Sequence, residues 1–208
     1  MTARRTHIVA SAMLVCVALS GCALFGSGKK PLDQYDLSPS PHVSLGQRLE
    51  VQIVINRPSA ARSLDTERIL VKSSSAKLAY YPGAAWSDRL PQLVQGRLVE
   101  AMQNSGRFRA VGDDRDKIHN DIQLLSNIRV FHVDVAGEVV TARIEIFMKL
   151  VDGRSQRILS SRKFSASSVA AGDSADAAIE ALNQAHQKII PQIVKWAGRR
   201  RIVAHVQQ

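Results

Sequence analysis

Apolar and polar residues along this chain fall into two kinds of stretch, one of period two and one of period three to four. "RLEVQIVIN" places Leu49, Val51, Ile53 and Ile55 on one side, the alternation of a strand whose apolar face needs a core. "ERILVKSSSAKLAYYPG" predicts two short strands with a turn at Ser73 to Ser75. The clearest strand is "VVTARIEIFMKLVDG": Val140, Ala142, Ile144, Ile146, Met148 and Leu150 face one way, and Thr141, Arg143, Glu145 and Lys149 the other. "DIQLLSNIRVFHVDV" precedes it across Gly137-Glu138, and "QRILSSRKFSAS" follows across Asp152-Gly153, so the three read as an antiparallel meander.

Two segments carry the helical period. "SDRLPQLVQGRLVEAMQNSG" has Ser87 as an N-cap, Pro91 in the first turn, Gly106 as a C′ residue and a stripe of Leu90, Leu93, Val94, Leu98, Ala101 and Met102. The second runs from about Ser174 to Ala197, with Ile179, Leu182, His186, Ile189, Ile193 and Trp196 along one side. Pro191 lies inside it, where the missing N–H should kink the helix or divide it in two. Strands and helices that each expose one apolar face predict an α/β (α+β) two-layer sandwich, a largely antiparallel or mixed sheet under two main helices.

The first 22 residues change the picture. Arg4, Arg5 and His7 precede an apolar run from Ile8 to Leu19, which is too short for the ~20 residues of a spanning helix. This is the layout of an export signal, and the Arg4-Arg5 pair alone does not make it a twin-arginine one. "LSGC", Leu19 to Cys22, resembles the lipobox of bacterial lipoproteins, in which cleavage falls before the cysteine and its sulfur and amine receive lipid. Cys16 is then discarded, and Cys22 becomes the first residue of the mature chain. The resemblance implies a covalent lipid on Cys22 and no other cofactor. Two or more acyl chains hold a protein stably where one holds it marginally. Ala23, rather than aspartate, follows the cysteine, and by the same resemblance this favours the outer membrane.

Charge and chemistry add less. The formal charge is +10, about +8 without the two leader arginines, and in an exported protein this fits an anionic surface or acidic partner rather than nucleic acid. No G-x-S-x-G elbow, H-E-x-x-H motif or P-loop occurs. His42, His119, His132, His186 and His205 lack metal-ligand spacing and read as surface or half-buried residues. Asp113, Asp114 and Asp116 of "GDDRDK" read as a solvated turn, without the central Gly and late Glu of a calcium loop. No catalytic or metal residue is assigned, and the expectation is that this is not an enzyme. "KLAYYPGAAWSDRLP" does stand out: Tyr80, Tyr81 and Trp86 sit in what reads as a loop entering the first helix. They are candidates for a partner-binding surface as well as for closing the end of the core.

From here the chain resembles a family. "YDLSP" (Tyr35 to Pro39), a strand ending in "INRP", "LDTERILVK", "YYPGAAWSDRLPQLVQGRLVEAMQNSGRFRAV", a meander and "ALNQAHQKI" occur in the order of the auxiliary lipoproteins of ABC-type transporters, a group that includes the Pqi-system outer-membrane lipoprotein. The resemblance implies partnership with an ABC permease and ATPase and an MCE-type periplasmic protein, in a system moving phospholipid or other hydrophobic molecules. It implies a docking role at the outer membrane, on the periplasmic side, and no catalytic residues. The chain accordingly divides into a signal peptide (1–21), a flexible tether (22–34), the auxiliary domain (35–198) and a basic tail (199–208). A lipid-binding carrier, with ligand held between sheet and helices, is the alternative function, and a hydrolase with a dispersed site is a third.

Overall fold

The computed structural model describes residues 31–136 and 138–199. The signal peptide, Cys22, most of the expected tether and the tail from 200 lie outside the described residues. What is described is an α+β fold, with nine strands in one mixed sheet and two helices. The strands are β1 (Asp33–Tyr35), β2 (Leu49–Ile55), β3 (Ser59–Ala60), β4 (Arg68–Lys72), β5 (Leu78–Trp86), β6 (Phe108–Asp113), β7 (Ile122–Asp134), β8 (Thr141–Asp152) and β9 (Ile158–Val169). Helix α1 (Leu90–Asn104) follows β5, and α2 (Ala175–Ala197) follows β9.

The predicted meander is its backbone. β7 pairs antiparallel with β8 along its whole length, and β8 pairs antiparallel with β9. The other edge of β7 is shared by three strands in parallel register: β2 at Ile122 to Leu124, β3 at Asn127 and Ile128, and β4 at Val133 and Asp134. Beyond β7 the sheet therefore forks, into β2–β6 on one branch and β4–β5–β1 on the other.

β7 changes faces partway. Ile122, Leu124 and Ile128 are buried at even positions, but further along Phe131 and Val133 are buried at odd ones. The register explains the switch. Ile128 opposes Ile146 while Val130 opposes Glu145, so β7 carries one extra residue, Arg129, and this bulge restores Phe131 and Val133 to the core side. In β8 no such break occurs, and Ala142, Ile144, Ile146, Met148 and Leu150 are all 1% exposed or less, as the alternation predicts. The β8–β9 turn is held by Asp152, whose carboxylate accepts from Ser155 N (2.6 Å), Ser155 Oγ (2.9 Å) and Arg154 N (3.0 Å). Gly153 is required there, because a Cβ would collide with the carbonyl of Asn120.

Both helices pack on one face, α2 over β8 and β9 and α1 over β6 and β2, in contact with each other. Helix α2 starts as predicted: Ser174 Oγ accepts from Ala177 N at 3.2 Å. It runs unbroken through Pro191, so the expected division does not occur. A proline inside a helix, through the lost hydrogen bond and the clash of its ring with the preceding turn, costs about 3 kcal/mol. Burying Ile189, Ile190, Ile193 and Val194 around it stabilises by about 1.5–3 kcal/mol each, and that burial prevails. Helix α1 begins at Leu90, not after a Ser87 cap. Its N-cap residue Arg89 makes no side-chain cap, and the Leu90 N–H donates instead to Thr66 O at 3.1 Å. It ends as predicted, with Gly106 at φ +60° after Ser105.

The first strand starts at Asp33, inside the stretch read as tether, because β1 pairs in parallel with β5 (Asp33 opposite Ala84). The next residues strap the two helices together. Tyr35 Oη donates to Asp176 (2.6 Å), Ser38 N donates to Asn183 Oδ1 (3.0 Å), and Gln187 Nε2 donates to Pro39 O (3.5 Å), all three on α2. Arg97 of α1 reaches Asp36 at 2.7 Å, and Leu37 between these anchors is fully buried. The Asp176 carboxylate holding the Tyr35 hydroxyl pushes its pKa up to about 12. At the far end Arg107, itself buried, donates to Leu45 O (3.3 Å) and to Gly198 O just past α2 (2.8 Å).

His186 departs from the sequence expectation. It is completely buried on the core stripe of α2, and neither ring nitrogen has a hydrogen-bond partner. Burial, with Arg97 nearby, lowers its pKa to about 3, so the folded protein holds it neutral. Below the ordinary imidazole value of 6.5 the unfolded chain binds a proton that the folded one does not. Stability from this residue is therefore complete above pH 6.5 and falls by up to about 1.4 kcal/mol per pH unit toward pH 3. Urea titrations at pH 7 and pH 5 should show this decline, and His186→Leu should flatten it. Trp86, 1% exposed and edge-to-face with Phe131 (centroids 6.0 Å apart), anchors the other end of the core. In the same assay at pH 7, Trp86→Ala should cost about 3–5 kcal/mol.

Candidate functional site

The aromatic segment is strand throughout: Tyr80, Tyr81 and Trp86 all belong to β5, the second of the two strands that "ERILVKSSSAKLAYYPG" predicts, and the loop expected to carry the three rings into the helix is absent. Pro82 and Gly83 gave it the look of a loop. The β4–β5 pair accommodates them with a register shift between Arg68 and Leu70, and Gly83 supplies φ +75°. The three rings do not form one surface. Trp86 is in the core. Tyr80 and Tyr81, being consecutive, point to opposite faces of the sheet. Tyr80 lies under the Arg68 guanidinium (4.2 Å to the ring centroid) and its hydroxyl donates to Ser63 O at 3.4 Å. Tyr81 reaches the segment before α2, donating to Asp173 O at 3.5 Å, and its pKa is raised by burial and then by the Asp173 charge. Tyr80 and Tyr81, both half-buried, are what remains of this segment for contact with a partner.

The titratable groups singled out in the sequence are dispersed. Among the described residues no three His, Cys, Asp or Glu side chains converge as metal ligands would. His42 and His119 are exposed. His132 is half-buried, its pKa lowered by burial and then by Lys72. Asp113 and Asp116 are occupied in their own turn: Asp113 accepts from Arg115 N (2.8 Å) and the Arg115 guanidinium, and Asp116 accepts from Asp113 N (2.8 Å). The Arg115 contact holds the Asp113 carboxyl below its usual range. Asp114 accepts from Gln95 Nε2 (2.8 Å) and Arg57 N (3.0 Å), pinning this turn to α1 and to the end of β2.

The space between sheet and helices is filled. Ile53, Ile146, Met148, Leu182, Ile189 and Ile193 meet there, each 1% exposed or less. The notable concavity lies on the opposite face, where the sheet forks. A pocket of about 570 Å³ opens between the β2–β3 connection and the outward side of β7 and β8. Its floor is Leu125 and Phe147, and its rim carries Arg57, Arg129 and Lys149. Arg129, the bulge residue, stacks its guanidinium over the Phe147 ring at 4.5 Å. Asn127 donates to Ser59 Oγ at 2.9 Å and ties the two walls together. The sequence pattern places Lys149 on the polar face of β8 and marks none of Arg57, Arg129 and Phe147. Phe147 was the available signal, since a phenylalanine among Arg143, Glu145 and Lys149 is out of place on a purely solvated face.

Among the described residues no helix is long and apolar enough to cross a membrane. The chain is 29% identical over 186 residues to an uncharacterized protein of Bradyrhizobium diazoefficiens, covering 86% of this chain and 48% of that protein. It thus spans about half the length of the curated relative it matches. The crystal structure of protein XCC0632 from Xanthomonas campestris shares 26% identity at a TM-score of 0.76, covering 84% of this chain and 98% of that one. A hypothetical protein of Chlamydia trachomatis, CT253, has the same fold at a TM-score of 0.53 and 8% identity, over 72% of this chain and 96% of its own. The family model of the ABC-type transport auxiliary lipoprotein component matches residues 35–194, from the strap to the last turn of α2. The chain belongs to that family of ABC-type transport auxiliary lipoproteins.

Proposed function

We propose that this protein is an outer-membrane lipoprotein that docks an ABC transporter's periplasmic conduit, with an MCE-type protein, a permease and an ATPase as partners and phospholipid or another hydrophobic molecule as cargo. The observation that carries the reading is the family match over 35–194, a short tether's length after "LSGC". The 11 residues from Cys22 to the first strand at Asp33 span at most about 40 Å, which keeps the domain close to the membrane that holds its lipid. Parallel pairing of β1 with β5 fixes where that tether joins the domain, and the strap fixes the helices beside it. The half-buried Tyr80 and Tyr81, near this junction, are the proposed partner contacts. A packed interior suits a rigid docking body better than a carrier that holds its ligand between the layers.

Four measurements test this. The intact mass of the protein purified from membranes should correspond to a chain starting at a lipid-bearing Cys22, and Cys22→Ser should release it from the membrane fraction. Ala23→Asp should move it from the outer to the inner membrane on a density gradient. Full-length protein solubilised in mild detergent should co-purify with a permease, ATPase or MCE-type component. Repeated isolation without any of them would contradict the docking role, and membrane retention of Cys22→Ser would contradict the lipid anchor.

A further inference from the structure

The pocket at the fork has a composition that a solvated sheet face does not need. Its charged lining is three cations against one carboxylate, and that carboxylate, Asp114, already accepts hydrogen bonds from Gln95 and Arg57. Arg57 pairs with Asp65 (2.9 Å) and Arg129 with Glu145 (3.7 Å), both outside the pocket. Lys149 makes no ion pair among the described residues. Beneath these charges lie the Phe147 ring and Leu125, an apolar floor that Arg129 covers only in part. Asn56 also lines the pocket, with its Oδ1 buried beneath the surface. At about 570 Å³ the space is of the size that holds a small ligand.

We propose that this pocket binds a phosphate-headed amphiphile. The phosphate oxygens accept from Lys149 and from the free donors of Arg129 and Arg57, charge-assisted bonds that are about twice as strong as neutral ones. The first carbons of the apolar chain lie on Phe147 and Leu125. The cations and the apolar floor each answer one part of such a molecule, whereas inorganic phosphate leaves the apolar floor and a neutral lipid leaves the cations unused. The site is on the outward face of the sheet, separate from Tyr81 and from the strap, and the proposal does not rest on the docking role.

The test uses the whole mature chain carrying Cys22→Ser, so that no attached lipid competes. Titration with dihexanoylphosphatidylglycerol below its micelle concentration should give saturable binding, with amide shifts concentrated at Arg57, Arg129, Phe147 and Lys149. Lys149→Glu should weaken binding by about tenfold or more without changing the melting temperature, and Phe147→Ala should weaken binding of the amphiphile more than it weakens binding of inorganic phosphate. Recruitment to phosphatidylglycerol vesicles that Lys149→Glu abolishes would identify the source as lipid in a bilayer, and monomer binding without vesicle recruitment would identify lipid free of it. No saturable binding, binding indifferent to Lys149→Glu, or inorganic phosphate binding as tightly as the amphiphile would each overturn the proposal. None of these outcomes alters which proteins co-purify with the lipidated chain, so this proposal and the docking role can fail separately.

Discussion

Everything in this domain is referred to β7. Its one edge is consumed by β8, and its other edge is divided among β2, β3 and β4 in parallel register. A single strand with that many partners must present a consistent apolar face to the helices along 13 residues. The extra residue at Arg129 is how it does so while its sequence changes phase. The same bulge sets Arg129 on the opposite face, over Phe147, in the angle where the two branches of the sheet part. One backbone irregularity thus closes the core on one side and shapes the pocket on the other.

The second organising contact is the strap. Sequence-distant residues, Tyr35 with Asp176 and Ser38 with Asn183, bring the beginning of the domain onto its last helix. Asp36 with Arg97 adds the first helix. These exposed or part-buried bonds are individually modest, about 0.5–1.5 kcal/mol each. Leu37, fully buried between them, adds an apolar term of about 1.5–3 kcal/mol. The consequence is mechanical as much as energetic. Any pull on the chain ahead of β1 reaches the helices through the strap and the sheet through β5.

The parts of this fold legible in the sequence were those with an uninterrupted period. β8 alternates for ten residues without a break, and each of its inward positions is buried. The stripe of α2 was read residue by residue, and all of it, His186 included, lies in the core. That His186 is wholly buried was not legible, because composition assigns histidine to surfaces and only the packing of α2 against its neighbours removes water from it. β6 escaped notice because only Phe108 and Gly112 of its six residues are buried. β1 escaped because its three residues are exposed or half-buried and exist as a strand only through β5. Trp86 looked like part of a loop because Pro82-Gly83 breaks the alternation, and the bulged β4–β5 pairing that absorbs the break is a tertiary fact. The pocket has the same origin: Arg57 and Lys149 are 92 positions apart, and nothing local to either predicts that the fork of the sheet will set them on one rim.

The account rests on an anchored domain with a filled interior, acting through its surfaces. Photocrosslinking in living cells tests this most directly, with benzoylphenylalanine placed singly at Tyr80 and at Tyr81 of the full-length lipoprotein. The account predicts that at least one of these positions gives a discrete adduct with a component of the transporter, lost when the component is deleted. Adducts at neither position, in cells where the transporter is present and the protein is membrane-bound, would contradict it.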